Sequence, residues 1–428
     1  MSCRSADSGT DAANGASTTR RGPARMPQPA LALLAFMMAL APFGDTEYTP
    51  AMPAIAHALA ADYGLVQLTM TFYLAGSAIS QLGLGPLADR YGRRPVMLGG
   101  TAVLTVGFLL SLASVSIWPL LGSRLVQGLG ASAGSVVADA AVRDAFPAER
   151  RQRVYAKLNA AFALAPAVGP VAGVWLARAF GWRANFAVLA ALGMLLWFAV
   201  WRWLPETRPC PDHRALRPRR LWRTWRRILG TPRFVVFALL GGCAVGVVYT
   251  ALIGAPDLVI NVLNEGSGAI VIVAASILVA FVAGAGLCIW LTPRSAYLRI
   301  LAAGLAILLA GSLALLAVAL LLGAEGSLAA FLIPISVCFC GVGLVVPVAT
   351  AKAMAPFRRT AGHAASLLGF VRMGVAALGT VAMSVLHEGS VLDIPIVFLA
   401  LSGATAAVFA IHVARERRQP GVASRFAG

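Results

Sequence analysis

Long apolar runs broken by short polar turns set the plan of this chain. The runs recur near residues 28–53, 66–88, 95–114, 117–141, 154–178, 183–204, 234–256, 267–290, 297–320, 327–350, 362–386 and 391–414, which makes twelve. A bilayer core about 30 Å thick is crossed by about 20 apolar residues of helix. The runs lack period-two alternation, and a helix satisfies its own backbone in lipid, so each run is expected to be a transmembrane helix. The polar, Arg-rich segment 205–233 divides them six and six. The expected fold is an all-α membrane protein, 12 transmembrane helices in two pseudo-symmetric six-helix bundles, 28–204 and 234–414, with a transport site near the midplane between them.

Composition agrees. Apolar residues make up 59% of the 428 and charged residues 12%, with a mean hydropathy of +0.79. A soluble domain carries about 25% charged residues. The net charge of +18 is not a nucleic-acid footprint, because the basic residues fall in alternate loops. One side holds Arg4 to Arg25, the arginines near residues 90–94 and 143–153, Lys157, the arginines of the linker, Arg294, Arg299, Lys352, Arg358, Arg359 and the arginines from 415 on; the other holds Arg178 and Arg183. The positive-inside bias then places both termini in the cytoplasm. Residues 1–27 are expected to be a disordered cytoplasmic tail and 415–428 a second tail. Trp118 and Trp182 are expected at outer boundaries, and Trp201, Trp203 and Trp290 at inner ones. Within the linker, Leu221, Trp222, Trp225, Ile228 and Leu229 share one face of a basic amphipathic helix suited to an anionic leaflet.

The six cysteines form neither a zinc pattern nor a disulfide framework. The histidines are scattered and no G-x-x-x-x-G-K-[ST] occurs, so no metal site, enzyme site or ATP motor is expected.

The densest charge between two spans is Gly85-Pro-Leu-Ala-Asp89-Arg90-Tyr-Gly92-Arg93-Arg94-Pro95, read as a tight turn at the membrane surface. Asp139, Arg143 and Asp144, at the inner end of the fourth span, are expected to form ion pairs with Asp89, Arg90 and Arg93. Such a cluster would bias one conformation of the carrier against the other. Inside the first span stand Asp45 and Glu47, carboxylates that are costly in lipid and so functional candidates. They lie roughly 200° apart around a helix and cannot both face one partner. Glu47 and Arg124 of the fourth span sit at similar depth, about 10 Å from their outer ends. Desolvation favours the neutral carboxyl and a nearby arginine the charged one, a balance that lets Glu47 take and release a proton. The same placement also suits a fixed Glu47–Arg124 ion pair. Asp45 is a further candidate for proton coupling, with Gly44 expected to break the helix beside it. Tyr48, Tyr73, Gln127 and Arg372 are expected to line a substrate cavity. Arg372, well inside the eleventh span, suits either a polar or anionic substrate group or a partner such as Asp257. Pro166, Gly169, Pro170 and Gly173 are expected to bend the fifth span and admit a close neighbour.

The Gly85–Pro95 segment resembles the signature of the major facilitator superfamily. Glu47-Tyr-Thr-Pro-Ala-Met-Pro, Arg124-Leu-Val-Gln-Gly-Leu-Gly130, Val142-Arg-Asp144, Pro166–Pro170, Gly181-Trp-Arg183 and Leu204-Pro-Glu-Thr207 follow the order and spacing of its Bcr/CflA family, closest to the chloramphenicol-exporting branch. The resemblance implies a drug:proton antiporter of the bacterial inner membrane, monomeric, driven by the proton gradient without a cofactor. Its partners would be lipophilic drugs such as phenicols, protons and the bilayer, with no nucleic acid. It implies the antiporter motif for Pro166, Gly169, Pro170 and Gly173, with Val174 where the family has a second glycine. Glu47 replaces the family's usual Asp, and Arg372 stands where an uncharged polar residue is common. An exporter or proton symporter for an endogenous metabolite is the other reading the same fold carries.

Overall fold

The computed structural model of the chain describes residues 28–146, 148–207, 212, 215–386 and 389–418. The expected tail 1–27 lies outside the described residues. The helices are α1 (Gln28–Tyr48), α2 (Met52–Ala58), α3 (Tyr63–Tyr91), α4 (Arg93–Leu112), α5 (Ile117–Ala145), α6 (Ala148–Phe180), α7 (Arg183–Trp203), α8 (Pro218–Leu229), α9 (Pro232–Asp257), α10 (Gly268–Leu291), α11 (Tyr297–Leu322), α12 (Leu328–Met354), α13 (Ala361–Val385) and α14 (Asp393–Arg418). No strand occurs among the described residues.

All but α2 and α8 match the twelve apolar runs. Nine helices of the described residues are long and apolar enough by themselves to cross a membrane. The other long ones are α1, α3 and α6. Buried polar groups such as Gln67, Thr69 and Thr71 dilute the apolar run of α3.

The first run does not continue as one helix to residue 53. After α1 the chain makes a 3-10 turn over Thr49–Ala51 and restarts as α2, with a proline in the first positions of each new element. Proline lacks the N–H that a continuing helix needs but is tolerated in a first turn. Gly44 makes no break. Helix α1 runs through it, and its open side is filled by Leu189 of α7 and Phe108 of α4.

Helix α1 packs on α5, α6 and α7, and α5 packs on α3 and α4. In the second set α9 packs on α12, α13 and α14, while α12 also meets α10 and α11. The main joint between the sets is α3 against α13. At the end away from the Gly92 turn it is pinned by Ser384 Oγ donating to the Gly64 carbonyl at 2.5 Å and by Thr71 and Thr380 hydroxyls 2.8 Å apart. Helix α6 meets α10 near the same end, where Arg178 Nε donates to Ser267 Oγ at 2.7 Å. Such short polar links hold helices together in lipid, where apolar burial supplies little drive.

Trp118, Trp201, Trp203 and Trp290 are exposed, as boundary anchors are. Trp182 is not. It is buried against Phe186 with the Arg183 guanidinium 4.3 Å from its ring centre. Helix α8 buries Ile228 against its neighbours and leaves Trp222 exposed.

Candidate functional site

Three buried charges, Asp45, Glu47 and Arg124, gather where α1, α3 and α5 meet, with Tyr249 of α9 against Asp45. Arg124 of α5 is sealed, 1% exposed, between two phenol rings. Its guanidinium carbon lies 4.1 Å from the Tyr48 ring centre and 4.7 Å from that of Tyr73. A desolvated cation over an aromatic face gains about 2 kcal/mol or more. Arg124 Nη1 donates to Gln127 Oε1 at 2.5 Å and Nη2 approaches Met70 Sδ at 3.9 Å. Gln127 in turn donates to the Gly107 carbonyl at 3.1 Å and to Ser111 Oγ at 2.6 Å. Both its amide hydrogens are thus spent at the α4–α5 joint. Gln127 holds Arg124 in place and has no donor left for a ligand.

Glu47 is fully buried, and neither carboxylate oxygen has a hydrogen-bond partner among the described residues. Its backbone is held from two sides. Asn185 of α7 donates to its carbonyl at 3.4 Å. Gly169 and Gly173 of α6 lie against Thr46 and Glu47, so closely that a Cβ on Gly173 would run into the Glu47 carbonyl. Pro166 and Pro170 belong to the same helix, which runs unbroken. The glycine spacing therefore acts by letting α6 touch the backbone that carries the carboxylate. Asp45 is also buried and takes a bond from Tyr249 of α9 at 3.3 Å, which links the two helix sets. Arg124 forms no ion pair with either carboxylate among the described residues, yet its charge acts on both. The direct Glu47–Arg124 pair is thus not formed here. The Tyr48 hydroxyl is bonded to Thr69, which leaves its ring to Arg124 and Phe186.

Arg372 of α13 bonds Thr350 of α12 at 2.5 Å and lies over Gly241 of α9. Asp257, weighed as its partner, instead accepts from Asn261 at 2.6 Å.

The charged signature is less of a turn than its sequence suggests. Gly85 to Tyr91 continue α3, and Gly92 alone separates it from α4. Gly92 has φ +100°, a conformation costly for any residue with a Cβ. Arg93 bridges Asp89 and Asp144, each at 2.9 Å. Glu206, beyond the sixth long helix, accepts from the backbone N–H groups of Arg93 at 2.9 Å and Arg94 at 3.1 Å. It thereby places a carboxylate at the positive end of α4. The Asp89 carbonyl accepts from the Asp212 N–H at 2.9 Å, and Asp212 takes Arg220 of α8 at 3.2 Å. Arg94 reaches the Trp201 carbonyl at 2.5 Å. Among the described residues the expected cluster shows the Arg93–Asp89 and Arg93–Asp144 pairs. Arg90 lies over Tyr91, 5.2 Å from its ring centre, and Arg143 offers its carbonyl to Arg151 at 2.7 Å. Asp139 precedes Arg143 by about one turn of α5.

Tyr249, Asn185, Thr350 and Asp212 belong to none of the motifs. Glu206 does, within Leu204-Pro-Glu-Thr207, and that spacing was the available signal. No cluster suited to a metal occurs among the described residues. A groove of about 460 Å³ opens between α10 and α12, lined by Ser276, Leu332, Ile333, Ser336, Val337 and Cys340. It has no charged group and none of the helices that carry the carboxylates.

Long apolar helices packed around a sealed cation and two buried carboxylates, with an ion-paired turn at one end, define a multi-pass membrane transporter rather than an enzyme. The chain matches the family model of the Major Facilitator Superfamily over residues 34–380 and belongs to that superfamily. It is 31% identical over 390 residues to a chloramphenicol resistance protein of Pseudomonas aeruginosa, covering 89% of this chain and 90% of that one. It is 29% identical over 355 residues to multidrug resistance protein D of Escherichia coli, covering 79% and 84%. Among solved structures, a D-xylose-proton symporter superposes with a TM-score of 0.71 at 12% identity, covering 88% and 96%. A peptide transporter reaches 0.71 at 14%, covering 92% and 95%. At these identities the structures show the fold alone.

Proposed function

We propose that this chain exports lipophilic drugs, phenicols among them, across the bacterial inner membrane in exchange for protons, as a member of the Bcr/CflA family. The observation that carries the reading is Glu47, a fully buried carboxylate with no hydrogen-bond partner on either oxygen among the described residues. A permanently ionised group so placed is too costly to keep, so it is a side chain that gains and loses a proton as its surroundings change. Arg124, immobilised by Gln127 and two phenols, supplies the opposing pull toward ionisation. In this cycle protonated Glu47 belongs to the drug-free state. Substrate entry shifts the local balance, the proton leaves, and the loaded carrier changes its facing. Asp45, bonded to Tyr249, ties the protonation state on α1 to the second helix set.

In this reading 28–204 and 234–414 are the two moving bundles of a monomer and 205–233 is their cytoplasmic linker, with both termini inside. The Arg93 bridge and the Glu206 cap latch the cytoplasmic end. The relatives named for multidrug and chloramphenicol resistance support the substrate class. A drug-sensitive bacterial host expressing the chain should gain resistance to phenicols. Fluoroquinolones, tetracycline and bicyclomycin define the range, and Glu47→Gln should remove the protection at equal expression. Equal sensitivity of the wild-type strain and the empty host to every compound would refute drug export.

A further inference from the structure

Arg372 is a half-buried cation that the protein leaves mostly unused. An arginine carries five N–H donors. Among the described residues one is bonded, Nη2 to Thr350 Oγ1 at 2.5 Å, while Nε is buried with no partner. Thr350 is itself oriented, donating to the Val346 carbonyl at 2.5 Å, so its lone pair is fixed toward the guanidinium. The guanidinium lies across Gly241 of α9, where an added Cβ would stand 3.0 Å from Nη2 and 3.1 Å from Nε. That glycine makes room for the head group. No carboxylate pairs with Arg372 among the described residues, and Asp257, at the far end of α9, is about 24 Å along the helix from Gly241. An intramembrane arginine normally carries a counter-charge or faces a water-filled path.

The position suits the transport path. On α13, Gly369 abuts Gln81 and Thr380 bonds Thr71, so the side of the helix near Arg372 turns toward α3 and α9, where the two helix sets meet. Tyr249, which bonds Asp45, lies about 12 Å further along α9 from Gly241.

We infer that Arg372, set by Thr350 and Gly241, is an anion subsite of the transport path, and that the chain recognises amphipathic organic anions, lipophilic molecules bearing a carboxylate. The inference rests on the export reading above and narrows its substrate class. A guanidinium offers a planar fork to a carboxylate, a charge-assisted contact that a neutral amide cannot equal.

The test uses purified full-length protein in lipid nanodiscs. Tryptophan fluorescence reads the binding of nalidixic acid, its neutral carboxamide, and chloramphenicol. Wild type should bind the acid about tenfold more tightly than the carboxamide, the share of one charged hydrogen bond. Arg372→Gln should abolish that preference by weakening the acid far more than the carboxamide, and Arg372→Lys should restore about a third of it. Thr350→Val, which keeps the charge but frees the head group, should weaken the preference and serves if Arg372→Gln does not fold. Equal binding of acid and carboxamide by wild type, or a preference that survives Arg372→Gln, overturns the subsite while chloramphenicol binding leaves the export reading standing. If none of the compounds binds, both fall.

Discussion

Gly173→Ala is the smallest change that should disable transport without touching a charged group. The added methyl points at the carbonyl of Glu47, well inside van der Waals contact, and no flexible side chain intervenes that could turn away. Helix α6 must therefore move off α1 by more than about 1 Å, because a tolerable carbon–oxygen contact is about 3.4 Å. Over-packing of this kind costs about 1–3 kcal/mol. Misplacing a reactive group by about 1 Å can cost about a hundredfold in rate. The protein should still insert and purify, with a modest loss of melting temperature, while drug-driven proton flux in everted membrane vesicles falls by about tenfold or more. Gly403→Ala is the control, a helical glycine of α14 with nothing within 4 Å of an added Cβ, and it should transport normally. Normal flux in Gly173→Ala, with α6 simply giving way, would show that the close approach does not position Glu47.

Other changes probe the remaining parts. Glu206→Ala removes the carboxylate from the start of α4 and should cost about 1 kcal/mol, seen as a lower melting temperature, with Glu206→Gln losing about half as much. Because Glu206 is exposed, high salt should shrink the difference between these variants. Gln127→Leu leaves Arg124 without its amide partner and should destabilise by about 2–3 kcal/mol, whereas Ser123→Ala, one step removed, should cost about 1 kcal/mol or less in the same thermal assay. Asp144→Asn breaks one arm of the Arg93 bridge and should shift the balance of facing states, read as altered cysteine labelling at the two ends; unchanged labelling would deny the latch.

The architecture was largely legible from the chain because lipid enforces it. A run of about 20 apolar residues has few stable alternatives to a spanning helix. The exceptions have local causes. Pro50 and Pro53 cut the first run into α1, a 3-10 turn and α2, and Gly92 compresses a supposed loop to a single residue. Within the site, Glu47, Asp45 and Arg124 stood out because charge inside an apolar run is conspicuous. What surrounds them did not. Tyr249 meets Asp45 across 204 residues of chain, and Asn185 meets Glu47 across 138, and no local pattern encodes such contacts. Gln127 looked like a cavity residue from its helix face, yet its hydrogens go to α4. Arg124 looked like the ion-pair partner of Glu47, but the phenols of Tyr48 and Tyr73 occupy its faces instead.

The central claim is that Glu47 releases the exchanged proton. The direct measurement is proton release on adding chloramphenicol to the purified protein in weak buffer, followed with a pH-indicator dye, for wild type and Glu47→Gln at matched drug occupancy. The account predicts release from wild type and none from Glu47→Gln, which should still bind the drug. Release of the same size from both proteins would contradict it.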